Sequence, residues 1–259
     1  MPPQAAILEN LRRTVGEIQG LEEISQAEQP LGLGVPDLDR ALGSGLPRGT
    51  LHDLVPAAAV HLGATLGFGL ALAIRASGGP RARPVLWLQT DFARLEAGAL
   101  YGPGFAAFGL PMQRLIVLRA PRAADLLWAM EEALRCRALG AVVAELTHDS
   151  ADLTATRRLS LAAREGGGFG LLLHHHPCLA LTAAATRFEI ASLPGPSDAH
   201  GGLSPTTFTL RLVKNRRGPC GRWTIIWDHH AGTFLPAFPF DLAAAAFDRP
   251  DRAKIAGVG

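Results

Sequence analysis

The chain has 259 residues, a formal net charge of +2, 48% hydrophobic residues and 19% charged residues. This balance excludes an intrinsically disordered chain and is typical of a globular protein with one sizeable domain. A net charge so close to zero also excludes a polybasic protein, so any basic surface must be local. The three cysteines, at positions 136, 178 and 220, are far apart, which indicates a reducing compartment rather than a disulfide framework. Since no secretory leader and no apolar run of membrane length stands out, we predict a cytoplasmic protein without membrane contact.

An amphipathic helix is predicted near the N-terminus, over residues 6–28. Its apolar residues recur every three or four positions, at Ile7, Leu11, Val15 and Ile18. Such a stripe must be buried, either on the protein's own core or on another molecule. We treat residues 1–30 as a separate segment that contacts a partner or a second copy of the chain.

From residue 31 to residue 177, short apolar segments alternate with helical ones. Strands are predicted over 51–55, 85–90, 115–120, 140–146 and 169–175, and helices over 64–76, 92–102, 123–138 and 154–166. Apolar strands that alternate with helices of ten or more residues predict a doubly wound α/β sheet with parallel strands.

The pattern changes after Pro177. Three segments, 187–193, 207–215 and 221–228, predict strands joined by turns, which suits antiparallel strands at the end of a mixed sheet. Residues 231–259 are rich in Pro and Ala and are predicted to form a C-terminal tail. The core domain is therefore expected to span residues 31–230.

Five segments resemble, in the same order, the core of RecA-type recombinases. LGLGVPDLDRALGSGLPRGTLHDL (31–54) resembles the lead-in to the Walker A loop, and VLWLQTDFA (85–93) the second core strand with its catalytic carboxylate. GAVVAEL (140–146) lies at the Walker B strand, FGLLLHHHP (169–177) at the γ-phosphate-sensing strand, and RLVKNRRGP (211–219) at the basic segment near the end of the core. The resemblance implies a RecA-like α/β fold, with a mostly parallel sheet and antiparallel strands at its C-terminal end.

Within that superfamily, HDLV (52–55) followed by AVHLGATLGFGLALAIR (59–75) resembles the bacterial ImuA family, the RecA-like accessory proteins of SOS-induced mutagenesis. The resemblance implies a role in DNA damage tolerance by translesion synthesis. It implies action through protein interaction with ImuB, an inactive Y-family-polymerase-like protein, and with an error-prone replicative-type polymerase. RecA, a second copy of the chain and DNA stay open as further partners.

The nucleotide site of the recombinases is degenerate in this sequence. A phosphate-binding loop follows G-x-x-x-x-G-K-[ST], in which the Lys neutralises phosphate charge and the hydroxyl holds Mg²⁺. Gly63 and Thr65 can be aligned with it, but Ala64 occupies the position of the Lys. We therefore expect no catalytic residue and no cofactor, with the loop packed as core.

The resemblance aligns three further residues with that nucleotide site. Asp91 aligns with the catalytic Glu, Glu145 with the Walker B Asp, and His175 or its neighbour His176 with the sensor. In an inactive site we expect the two carboxylates to be solvated at strand ends. The alternative is a true ATPase, in which Asp91 and Glu145 hold Mg²⁺ with ATP.

The remaining charged residues of the sequence bear on DNA contact and on metal binding. The loops that hold single-stranded DNA in recombinases are contracted here, but a basic set could contact phosphates: Arg157, Arg158, Lys214, Arg216 and Arg217. A solvated surface is the simpler account of these charges. The run HHH (174–176) predicts no metal site, because adjacent strand residues point to opposite faces.

Our hypothesis from the sequence is a non-catalytic RecA-like accessory protein. Three alternatives remain open: a SulA-like inhibitor of the division protein FtsZ, a RecA-like ATPase, and a DNA-binding module. SulA-type chains are shorter, and the full series of recombinase-like strands together with KNRRGP favours the ImuA family.

Overall fold

The computed structural model describes residues 29–78, 82–147, 151–193 and 206–237. The helices are α1 (Pro36–Ala41), α2 (Leu62–Ser77), α3 (Asp91–Ala97), α4 (Gly102–Phe108), α5 (Ala123–Leu134) and α6 (Leu153–Gly166). The strands are β1 (Thr50–Pro56), β2 (Val85–Thr90), β3 (Leu115–Ala120), β4 (Ala141–Leu146), β5 (Phe169–His174), β6 (Thr186–Ser192), β7 (Thr207–Asn215), β8 (Gly221–Asp228) and β9 (Thr233–Pro236). Short 3₁₀ turns, Ala59–His61 and Met112–Arg114, precede α2 and β3.

The described strands form one mixed sheet in the order β3-β2-β4-β5-β1-β6-β7-β8-β9. The neighbours from β3 through β6 run parallel, and β6 through β9 run antiparallel. The predicted fold class is confirmed: the protein has an α/β fold consistent with a RecA-like core, with antiparallel strands at the C-terminal end of the sheet.

Helices pack on both faces of the parallel part of the sheet, which explains why most residues of β1, β2, β4 and β5 are apolar and buried. Successive side chains of a strand point to opposite faces. Val143 on β4 therefore packs in the core beneath α2, and its neighbours Val142 and Ala144 pack beneath α5 and α6. At the centre of the α2 face, the ring of Phe68 lies edge-on to Phe188. Each such fully buried side chain contributes about 1.5–3 kcal/mol relative to exposure.

Three local features differ from the sequence prediction. The helix predicted over 92–102 is wrong, because Gly98 has a positive φ of 89° and separates α3 from α4. The helix predicted over 123–138 ends earlier, at Leu134. The pattern also gives no sign of β9, which carries the sheet to Pro236, beyond the boundary that we set at residue 230.

The segment Ala59–Ser77 is long and apolar enough, by length and composition, to cross a membrane, the one such helix in the described part of the chain. Most of this segment is α2, which packs against β1, β4, β5 and β6. Its place beneath the sheet accounts for its apolar composition.

Two predicted segments lie outside the described residues. One is the amphipathic helix over 6–28 with Ile7, Leu11, Val15 and Ile18, and the other is the tail beyond residue 237.

Candidate functional site

The carboxyl ends of β1, β2, β4 and β5 meet at one edge of the sheet, where an open α/β sheet normally binds its ligand. The aligned nucleotide-site residues lie at this edge. Gly63, Ala64 and Thr65 follow β1, and Asp91 follows β2. Glu145 lies near the end of β4, and His175 directly follows β5.

The loop between β1 and α2 is tied to β6 and does not form a phosphate cradle. The amide of Ala57 donates to the carbonyl of Ile190 at 2.8 Å, and the amide of His61 donates to the carbonyl of Ala58 at 2.9 Å. The His61 Nδ1 accepts hydrogen bonds from the hydroxyl and the amide of Ser192, at 3.0 and 3.3 Å. A phosphate-binding loop needs amides that point at the ligand, and two amides of this loop, those of Ala57 and His61, are used within the protein.

The three residues aligned with the end of the Walker A motif lie in the first turn of α2. The Thr65 hydroxyl is buried and donates to the carbonyl of His61 at 3.1 Å, so it does not face a metal position. Ala64 is half-buried against the core, while Gly63 is exposed. The expectation that the whole loop packs as core is wrong, because residues 57–60 are exposed.

Glu145 is the centre of a buried polar cluster that we call the Glu145 cluster: Trp87, Gln89, Glu145 and His175. Its Oε1 accepts from the Trp87 indole at 2.6 Å, and its Oε2 accepts from the Gln89 amide at 3.3 Å. The His175 Nε2 lies 2.8 Å from the same Oε2. Glu145 is only 1% exposed, so the expectation of a solvated carboxylate is wrong for this residue. With three donors on its two oxygens, the Glu145 carboxylate is satisfied within the protein, while the buried Nδ1 of His175 has no hydrogen-bond partner among the described residues.

The remaining residues of this edge are more open. Asp91 is exposed at the start of α3, whose first turn is capped by the Thr90 hydroxyl, which accepts from the Ala93 amide at 3.0 Å. Glu96 lies 3.9 Å from the buried Nδ1 of His175 and 3.8 Å from the Nε2 of His176. Among the described residues, no group of three His, Cys, Asp or Glu side chains is placed to hold a metal ion.

A second buried polar group lies on the opposite face of the sheet, and we call it the Asp53 cluster: Asp53, His174 and Arg187. Asp53 on β1 is in register with Arg187 on β6, whose Nε and Nη2 donate to Oδ2 at 3.0 and 2.8 Å. The His174 Nε2 lies 3.8 Å from Oδ1, too far for a hydrogen bond but close enough for charge attraction. His174 and His175 thus lie on opposite faces of the sheet, as strand alternation predicts.

Charge attraction inside the Asp53 cluster shifts two pKa values. Burial alone would lower the pKa of His174, but Asp53 and then Cys178 raise it to about 9. Burial alone would raise the pKa of Asp53, but His174 and then Arg187 hold it below its ordinary value. At neutral pH the cluster therefore holds one carboxylate between two cations.

No protein-family model matches the chain. The chain is 32% identical over 240 residues to Protein ImuA of Caulobacter vibrioides strain NA1000 / CB15N. The aligned region covers 88% of this chain and 94% of that protein. The same figures hold for Protein ImuA of Caulobacter vibrioides strain ATCC 19089 / CIP 103742 / CB 15. The chain belongs to the ImuA family.

In this ImuA-family protein the five predicted DNA-contacting residues do not share one environment. Arg157 is exposed on α6, and its neighbour Arg158 pairs with Glu131 at 2.6 Å. The Lys214 ammonium donates to the carbonyl of Thr182. Arg216 and Arg217 follow β7 at the opposite edge of the sheet from the nucleotide-type site and line a pocket there.

Trp87, Gln89, Asp53 and Arg187 were not singled out from the sequence of this ImuA-family protein, although signals for them exist. Trp87 and Gln89 are two positions apart on β2, so their side chains lie on the same face of the sheet. Their polar groups, in an otherwise apolar strand, need a buried hydrogen-bond partner. Asp53 is a charge inside the apolar run LHDLV, and a buried carboxylate requires a cation. The sequence does not show which cation supplies the charge.

Proposed function

We propose that this ImuA-family protein is a non-catalytic accessory protein of SOS-induced, error-prone translesion DNA synthesis. It acts in the cytoplasm by binding a Y-family-polymerase-like partner of the ImuB type, and through it an error-prone replicative-type polymerase. RecA is a further candidate partner. The proposal rests on family membership together with the state of the nucleotide-type site.

The main support for a non-catalytic role is that the Glu145 carboxylate already accepts three hydrogen bonds within the protein. The residue aligned with the metal-binding Asp of recombinases already accepts from Trp87, Gln89 and His175 and has almost no exposed surface. Holding Mg²⁺ would require breaking these bonds and admitting water to a buried carboxylate. The missing Lys at Ala64 removes the charge that would offset a triphosphate.

With Glu145 occupied by three hydrogen bonds and no Lys at position 64, the sheet serves as a scaffold for binding surfaces. The candidate contact segments are the apolar stripe within residues 6–28 and the tail over 236–259. When the two proteins are expressed together, a partner of the ImuB type should co-purify with the full chain. Deletion of one of these segments should abolish co-purification.

The test in cells is complementation of a deletion strain, measured as mutation frequency after DNA damage. The wild-type gene should restore damage-induced mutagenesis, and Asp91→Ala should restore it equally, because Asp91 is exposed and contributes no buried contact. An ATPase that uses Asp91 as its catalytic carboxylate would lose function in this variant, which would contradict the non-catalytic proposal. Cell filamentation on overexpression, with no effect on mutation frequency, would instead support a SulA-like division inhibitor.

A further inference from the structure

A pocket lined by three arginines lies at the amino end of β1, at the edge of the sheet opposite the nucleotide-type site. Arg164 comes from the last turn of α6, and Arg216 and Arg217 come from the turn after β7. β1 runs from Thr50 in this pocket to Pro56 at the other edge, so the two places are about 20 Å apart.

The pocket is built from close backbone approaches and polar side chains. Gly49 has a positive φ of 64°, and a Cβ on it would lie 3.5 Å from the Ala163 carbonyl oxygen at the end of α6. The Ser160 hydroxyl donates to the Ala183 carbonyl at 3.2 Å, and the Arg216 amide donates to the Ala185 carbonyl at 3.1 Å. The pocket is an open concavity, so a phosphate group can approach the three arginines from solvent.

The positive charge of this pocket is not balanced within the described part of the chain. No carboxylate is among the lining residues, and no ion pair there involves Arg164, Arg216 or Arg217. On α5 and α6, the carboxylates of Glu131 and Glu165 both pair with Arg135. Burial, and after it the charge of Arg216, lowers the pKa of the adjacent Lys214, so like charges accumulate here.

We propose that this pocket binds a single phosphate group through Arg164, Arg216 and Arg217. Guanidinium groups offer paired donors that match phosphate oxygens, and three of them on a concave surface favour a dianion or a phosphodiester. The phosphate comes from a mononucleotide or from the backbone of single-stranded DNA, and both sources present the same chemistry. The site is separate from the proposed accessory function, so either can fail without the other.

Binding is tested on the full-length protein by calorimetry with four probes: inorganic phosphate, thymidine 5′-monophosphate, thymidine, and a ten-residue oligothymidylate. We expect binding of the phosphate-bearing probes and none of thymidine. Tighter binding of the monophosphate identifies a nucleotide site, and tighter binding of the oligomer identifies a DNA-backbone site. Absence of binding by all phosphate-bearing probes, or equal binding of thymidine and its monophosphate, overturns the proposal.

The matched variants are Arg164→Gln, Arg216→Gln and, as control, Arg119→Gln, which removes the same charge from an exposed position on β3 outside the pocket. Each pocket variant should weaken binding of the preferred probe by roughly ten-fold or more, and the control by less than about two-fold. Thermal unfolding of each variant checks that it folds. Equal loss in all three folded variants means a diffuse basic surface and overturns the proposal.

Discussion

Asp53 and Arg187 are paired residues of adjacent parallel strands, and the guanidinium of Arg187 donates twice to one carboxylate oxygen, at 3.0 and 2.8 Å. The carboxylate has no exposed surface. This pair joins β1, the central strand, to β6, the strand at which the sheet changes from parallel to antiparallel. A buried charge that loses its partner is strongly destabilising, so the junction between the two halves of the sheet depends on this contact.

Arg187→Met should lower the free energy of unfolding by about 3–5 kcal/mol, because Asp53 would lose its guanidinium partner inside the core. Urea denaturation measures the change. The matched control is Arg211→Met, which removes an exposed arginine paired with Glu189 across β6 and β7. That surface pair should contribute about 1 kcal/mol or less. Equal effects of the two substitutions would contradict the assigned role of Asp53.

The stability of the protein should decrease between about pH 6.5 and pH 9 through His174. Its folded-state pKa is raised to about 9 from an ordinary value of 6.5, so its charge stabilises the fold fully below pH 6.5. This contribution is lost as the pH rises through 9, and a shift of this size corresponds to on the order of 3 kcal/mol. His174→Gln should flatten the stability profile over this pH range. The substitution of the half-exposed His176 by Gln leaves the Asp53 cluster intact and serves as the matched control. An unchanged profile in His174→Gln would refute the assignment.

Glu145→Ala should lower the free energy of unfolding by about 3 kcal/mol or more, since Trp87, Gln89 and His175 would lose their shared acceptor in a buried site. Asp91→Ala, at an exposed helix start, should cost less than about 1 kcal/mol. Chemical denaturation distinguishes the two. The opposite outcome would be that both variants are as stable as the wild type and that only the wild type binds Mg²⁺–ATP. In that case Glu145 and Asp91 would form a nucleotide site.

Gly63→Ala should raise stability by up to about 1 kcal/mol, because a Cβ there meets no atom within 4 Å and alanine favours the helix. A glycine that cradled a phosphate would not tolerate the change without loss of ligand binding. The matched control is Gly166→Ala in α6, where a Cβ would collide with the carbonyl oxygen of Leu134. Thermal unfolding should show opposite shifts for the two variants, and a loss of stability in Gly63→Ala would contradict the structure of the β1–α2 connection.

Ala64→Lys should fail to restore nucleotide binding, although it supplies the ammonium that the Walker A pattern requires. The loop before it stays tied to β6 through Ala57 and through His61 with Ser192. Calorimetry with Mg²⁺–ATP should give no binding to this variant. Micromolar binding would mean that the lysine alone was missing, and the non-catalytic proposal would then need revision.

The local pattern of the chain determined most of the fold. The strands predicted over 85–90 and 115–120 coincide with β2 and β3, because each is a short apolar run in the sequence. β2 is buried along its whole length, whereas β3, at the end of the sheet, is partly exposed. The position of Ala64 likewise followed from motif spacing alone. Gly98 divided a predicted helix, and β9 was missed, because a four-residue strand has too few positions for its alternation to be recognised.

Only the tertiary structure decided where the polar residues lie. Glu145 could equally have been solvated, and its burial depends on Trp87 and Gln89 from β2 and on His175 after β5. Asp53 and Arg187 are separated by more than a hundred residues, as are Arg164 of α6 and the pocket residues of β1. Strand periodicity is encoded in neighbouring residues, whereas the pairing of charges depends on which strands become adjacent when the whole sheet assembles.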